Sequence, residues 1–198
     1  MGNNTKWVFL FCILFLALTL LKDPGLADDR ARDRSTLKGI QGVVVIVHAV
    51  APEWQAELAK VGLSENALQS AIEHQLQKAG IQVFAEEASR RSEFEGILNV
   101  RLSFADPEPA KKQFPALDRK EDIIEKVDLK KPYVYAVRLN LRQLVSLKRD
   151  PSAEAFSITW QTESVGMRRL SLLKERINSL VDVFIEAYTS ENPNSVNR

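Results

Sequence analysis

Cysteine is nearly missing from this chain: one residue in 198, Cys12. That excludes a disulfide framework and a cysteine-based metal site. Histidine is scarce as well, with only His48 and His74, 26 positions apart, so a multi-histidine metal centre lacks ligands. Glu73-His74 has no second histidine to complete an H-E-x-x-H helix. An excess of one charge is also lacking, since 27 Lys+Arg face 26 Asp+Glu for a formal +1. A protein that binds nucleic acid by bulk electrostatics is normally basic, so no nucleic-acid partner is expected. The single long apolar run, Trp7 to Leu21, has 15 residues where a membrane span needs roughly 20. Gly39 and Gly42 precede an apolar run, whereas a phosphate-cradling loop follows a strand and opens a helix. No G-x-S-x-G surrounds any serine. No catalytic residue, cofactor or metal is therefore expected.

The apolar run belongs to an N-terminal segment unlike the rest, in which 17 of the first 27 residues are apolar. It opens on a short polar stretch with Lys6 and closes on Lys22-Asp23-Pro24-Gly25-Leu26-Ala27. That is the pattern of a secretory signal peptide, with Gly25 and Ala27 at the −3 and −1 sites. Residues 1–27 are read as this signal, and the mature chain from Asp28 as periplasmic or secreted. An uncleaved inner-membrane anchor is the competing reading, and the only one that gives the chain a membrane contact. Lipidation fits less well because Cys12 lies mid-run after Phe11. Cleavage would leave a mature chain without cysteine and with 25 basic and 25 acidic side chains. Such a chain depends on its core for stability.

After a polar, flexible leader (28–36), residues 37–193 read as a single domain, followed by a frayed tail (194–198). Val43 to Val47 is β-branched on both faces, as in a buried central strand, and Pro52 ends it. A helix follows Ser64, with Leu68, Ile72, Leu76 and Ala79 at helical spacing and Gly80 at its C-terminal stop. Ile81 to Phe84 alternates as a short second strand. In the third, Leu98, Val100, Leu102 and Phe104 oppose Asn99, Arg101 and Ser103. Residues 105–132 contain Pro107, Pro109, Pro115 and Pro132 and form an excursion too long for an ordinary connection. The fourth strand sets Tyr133, Tyr135, Val137, Leu139, Leu141, Val145 and Leu147 against Arg138, Asn140, Arg142 and Lys148. The fifth sets Phe156, Ile158 and Trp160 against Ser157, Thr159 and Gln161, and Gly166 closes it. A final helix from about Arg169 to Thr189 carries Leu173, Ile177, Leu180, Val181, Phe184 and Tyr188 on one stripe. The order β-α-β-β-β-β-α predicts an α+β fold: a two-layer sandwich, its mostly antiparallel sheet of about five strands backed on one face by two helices.

The chain resembles a family of small exported bacterial proteins of unknown function. The matching pieces are Gly62-Leu63-Ser64, Lys78 to Val83, Tyr135 to Leu141, Thr159-Trp160, Ser164-Val165-Gly166, and Leu180 to Tyr188 with Asn192-Pro193. They span most of 37–193. The resemblance implies a fold and no catalytic residue. In fold alone the pattern is similar to exported accessory domains such as the N-terminal domain of the Tol–Pal translocation protein.

One constellation carries recognition chemistry. If the third to fifth strands are neighbours, Arg101, Arg138 and Arg142 share a wet sheet face with Asn99, Asn140, Thr159 and Gln161. Arginine's planar fork suits carboxylate and phosphate, so the face fits an unidentified envelope protein or anionic envelope component. Long charged side chains are equally a normal way to solvate an open sheet. Trp160 is expected in the core. Trp54 is either a lid over the sheet end or an exposed contact. His48 and His74 are expected to be structural. The function expected is a non-enzymatic exported binding or accessory domain of the cell envelope. A self-associating structural protein is the alternative, and an enzyme with an unrecognised acid–base site the third reading.

Overall fold

The computed structural model describes residues 31–85, 96–105 and 133–193. The expected signal (1–27), most of the 105–132 excursion and the 194–198 tail therefore lie outside the described residues.

The run that is β-branched on both faces becomes β1, Gly42–Val47. β1 sits inside a five-stranded sheet of order β2-β1-β3-β4-β5, and its side chains are buried on both faces, Val43, Val45 and Val47 on one and Val44 on the other. It pairs in parallel with β2 (Gln82–Phe84) and with β3 (Ile97–Ala105). β4 (Tyr133–Leu147) and β5 (Asp150–Arg168) continue antiparallel from β3. The sheet is thus mixed: a parallel half made by a helical crossover and an antiparallel half made by a long hairpin. The longer pairings are antiparallel, and the fold is α+β.

Chain order starts before the sheet. Ala31–Arg34 forms α1, one helical turn, and Ser35–Leu37 continues as a 3-10 turn that buries Leu37 completely. The leader expected through residue 36 is therefore partly folded. Thr36 donates its hydroxyl to Asp33 O at 2.6 Å and to Thr159 O at 3.2 Å.

Between β1 and β2 lie two helices where one was expected. α2 spans Pro52–Lys60, with Pro52 in its first turn, a position where the missing N–H costs nothing. α3 spans Glu65–Lys78; the Ser64 hydroxyl accepts from the Ala67 N–H at 3.4 Å, and Leu68, Ile72 and Leu76 face the core. Both helices end the same way. Gly62 (φ 71°) and Gly80 (φ 79°) take the left-handed turn that other residues resist. The next residues then bond back, Leu63 N–H to Leu58 O at 2.9 Å and Ile81 N–H to Leu76 O at 3.0 Å. All four of those side chains are buried, which completes the hydrophobic part of the stop.

α4, Leu173–Glu191, follows a 3-10 turn at Leu170–Leu172 and lays Ile177, Leu180, Val181, Phe184 and Tyr188 onto the sheet. Phe184 meets Trp160 edge-on with ring centres 5.1 Å apart, so Trp160 is a core residue as expected. Trp54, on α2, is resolved as a lid. Its ring lies 5.6 Å from Phe104 and 5.3 Å from Tyr133, where β3 ends and β4 begins.

Two expectations about β5 are overturned. The strand does not close at Gly166 but runs to Arg168. Gly166 is there to admit Tyr135, because a Cβ at that position would stand 3.0 Å from the phenol oxygen. Nor do Phe156 and Ile158 share a face with Trp160. Leu141 pairs with Trp160 while Arg142 pairs with Ile158, so Thr159 is an extra, bulged residue that reverses the side-chain parity. Trp160 is buried, whereas Phe156 and Ile158 are 44% and 50% exposed.

Candidate functional site

The face of β3, β4 and β5 that no described helix covers is a grid whose rows are set by strand register. Asn99, Asn140 and Gln161 form one row, Arg101, Arg138 and Glu163 the next, and Ile97, Arg142 and Ile158 the row on the other side. Directly paired residues on one face hold their Cβ atoms about 4.5–5.5 Å apart. Arg101, Arg138, Arg142 and Asn140 therefore come together as the sequence implied. Thr159 does not join them: bulged out of register, it donates its hydroxyl to the Gln143 carboxamide oxygen.

Sequence reasoning missed two members of this face. Glu163 is the first: Arg138 Nε and Nη2 both lie 2.9 Å from Glu163 Oε2. Those side chains are 52% and 37% exposed, so water screens the pair and it contributes little to stability. Phe156 is the second, with the Arg142 guanidinium 5.9 Å from its ring centre. Gln161-x-Glu163 alternation was a usable signal for the first. Phe156 was hidden by the bulge, which leaves no trace in period-two spacing.

The electrostatics are uneven. Arg101 and Arg138 stand directly across from one another, an arrangement that disfavours the fold by like-charge repulsion. Glu163 neutralises Arg138 only. Arg101 is exposed and Asn140 half-buried, so guanidinium and carboxamide donors are both offered to solvent. Such a face can take a carboxylate or phosphate by bidentate hydrogen bonds.

The remaining candidates are less coherent. His48 continues β1 and faces Asn99, with Nε2 2.9 Å from Asn99 Oδ1. Asn99 Nδ2 donates to Ile97 O at 3.2 Å, so its Oδ1 is the acceptor and His48 Nε2 carries the proton. This hydrogen bond orients the ring, which also lines the pocket at the carboxyl end of β1. His74 is exposed on α3. Among the described residues no hydroxyl bonds either histidine, and no cluster of three His, Cys, Asp or Glu is placed to hold a metal. A pocket of about 260 Å³ opens at the carboxyl end of β1, lined by Val47, Val50, Leu58, Leu63 and Leu68 together with the polar residues His48, Gln55, Ser64 and Glu65. A wider groove of about 1030 Å³ separates the C-terminal ends of α3 and α4. It is crossed by Asn192, which accepts from the Gly39 N–H at 2.7 Å and donates to Leu37 O at 2.8 Å. Lys60 donates to Glu57 at 2.7 Å, which lifts its pKa above the ordinary lysine value; the pair is exposed on α2, remote from the grid.

No protein-family model, no curated protein and no solved structure matches the chain. No described helix is long and apolar enough to cross a membrane.

Proposed function

We propose that this is an exported cell-envelope protein of the binding or accessory kind, acting without catalysis through the face of β3–β5 that no described helix covers. The observation that carries the reading is the Arg101–Arg138 juxtaposition. Two guanidinium groups stand opposite each other with a single carboxylate, Glu163, on their row. A fold that tolerates such repulsion gains from an anionic partner that relieves it. An envelope protein presenting acidic side chains, or an anionic envelope component, supplies that chemistry. Export is supported by the signal pattern of residues 1–27, with Ala27 as the cleavage site.

In-cell cross-linking with mass spectrometry tests both parts. A peptide beginning at Asp28 is expected as the mature N-terminus, and recovery of Lys6 on the folded protein would refute cleavage. Arg101→Glu with Arg138→Glu is expected to abolish the cross-linked partner seen with the parent chain. Unchanged cross-linking would remove this face from the reading.

A further inference from the structure

The β4–β5 hairpin outruns the sheet. β3 stops pairing with β4 at the Ile97–Arg142 row, and beyond it the described residues show β4 and β5 pairing only with each other. A free two-stranded ribbon is marginally stable in water. This one also exposes apolar side chains: Leu144 at 39%, Phe156 at 44% and Ile158 at 50%. The register pairs Leu144 with Phe156 and Arg142 with Ile158, so the three lie together on the same face as Arg101 and Arg138. One row further toward the tip, Ser146 pairs with Glu154 on the same face.

The patch therefore has a cation at one end, an anion at the other and apolar residues between. That is the pattern of a self-complementary surface. Rotate a second copy by 180° about an axis lying in the face, perpendicular to the strands, through the Leu144–Phe156 row. Rows are two residues apart, roughly 6.7 Å along the strand. The Arg142 row of each copy then lands on the Ser146–Glu154 row of the other, and Leu144 and Phe156 meet their own counterparts. Arg142 lies above Ser146, one strand spacing (about 4.8 Å) from Glu154, which its long side chain spans, and Ile158 lies above Glu154. A closed two-fold contact repeats each of these pairings twice.

We infer that the β4–β5 ribbon is a docking surface for a second copy of this chain, paired two-fold through Leu144 and Phe156 with reciprocal Arg142–Glu154 ion pairs. A foreign acidic protein would satisfy Arg142 and leave Glu154 repelled. An anionic bilayer would find Arg142, Lys148 and Arg149 nearly balanced by Asp150 and Glu154, and so gains little attraction. Only a copy of the same surface answers both ends. The footprint covers a few rows of two strands, well below the roughly 1,200–2,000 Å² of a standard stable interface, so the dimer is weak and reversible.

The inference does not rest on the envelope-partner reading, since Arg101 and Arg138 lie on a different row. Sedimentation velocity on the purified chain, with its N-terminus as the cell leaves it, tests it over a concentration series into the high micromolar range. A monomer–dimer equilibrium is expected. Glu154→Arg and Arg142→Glu should each weaken it about tenfold, and the Arg142→Glu/Glu154→Arg double variant should restore it to within about threefold. Phe156→Ser should abolish it, while Arg101→Glu/Arg138→Glu leaves it intact. These side chains are exposed, and circular dichroism is the check that each variant folds. A chain that stays monomeric throughout overturns the inference, as does a dimer indifferent to Phe156→Ser. Failure of the double variant to rescue overturns the Arg142–Glu154 pairing. Flotation of the monomer with phosphatidylglycerol vesicles, lost in Phe156→Ser, would assign the ribbon to a lipid surface instead.

Discussion

Asn192 closes the domain, and replacing it measures how firmly the N-terminal turn is held. Its Oδ1 accepts from the Gly39 N–H at 2.7 Å, and its Nδ2 donates to Leu37 O at 2.8 Å and to Tyr188 O at 3.0 Å. Asn192→Ala removes all three. The Tyr188 bond is local to the helix end, and the Gly39 N–H is exposed enough for water to replace the lost acceptor. The Leu37 carbonyl is part-buried and keeps only the longer bond from the Ile40 N–H, at 3.4 Å. At about 1 kcal/mol for each of the two bonds that cross the groove, the net loss is about 2 kcal/mol. For a domain of this size that lowers Tm by roughly 4–8 °C. The turn should loosen without leaving, because Leu37 and Ile40 remain buried and the Tyr188 hydroxyl still donates to Ile40 O at 2.7 Å. Hydrogen exchange should therefore speed up at Gly39 and Ile40 and stay unchanged in β1. Asn192→Asp sharpens the test. At neutral pH its carboxylate keeps an acceptor for Gly39 but sets negative charge against two carbonyls at a helix C-terminus, so it should destabilise at least as much as alanine. Protonating that carboxylate at low pH restores a donor and should recover part of the loss. An aspartate variant as stable as the parent at neutral pH would refute the claim that the two donated bonds matter.

Other perturbations follow from the same packing. Thr162 is fully buried opposite Leu139, and its hydroxyl has no hydrogen-bond partner. Thr162→Val should raise stability by up to about 1 kcal/mol in urea unfolding, and a loss of that size would show that the hydroxyl is satisfied in solution. A Cβ on Gly42 would strike the Gln82 carbonyl oxygen and stand 2.7 Å from the Phe84 ring. Because backbone is the obstacle, Gly42→Ala should cost about 1–3 kcal/mol, near the upper end, and expose β2 amides to exchange first. Deleting Thr159 removes the bulge and should turn Phe156 and Ile158 to the helix side. Strand content should persist by circular dichroism while concentration-dependent sedimentation disappears; unchanged sedimentation would mean that the bulge does not set the exposed face.

What the sequence made legible depends on whether the deciding interaction is local. The Ser64 cap, the Gly80 stop and the α4 stripe are short-range patterns, and each appears where its residues imply. α2 was overlooked because only Leu58 is buried on it, too little to print a period of 3.6 over nine residues. Pro52 near its start and Gly62 after its end were the surviving signals. The parallel pairing of β1 with β3 is non-local. Alternation in β3 reports one buried face and says nothing about which direction its neighbour runs. The same limit explains the candidate site. Arg138 and Arg142 share a face by spacing alone, but that Arg101 opposes Arg138 and that Glu163 answers it depends on register.

Thr159 shows how one unpaired residue decides what a surface offers. With unbroken alternation, Phe156 and Ile158 would have followed Trp160 toward the helix side, and the far end of the ribbon would have shown solvent polar groups such as Ser157. The bulge instead lets a single strand serve two faces: Trp160, Thr162 and Ser164 fill the core, while Ile158 and Phe156 emerge beside Arg142. A bulge of this kind disrupts the ladder locally and twists the strand. Here the bulged residue is held, its hydroxyl bonded to Gln143 and its carbonyl to Thr36. Bonding at both ends of the bulged residue fixes the parity reversal, so the exposed row of Arg142, Ile158, Phe156 and Leu144 is a stable feature of the fold. The proposed docking of a second copy rests on this exposure of Ile158, Phe156 and Leu144.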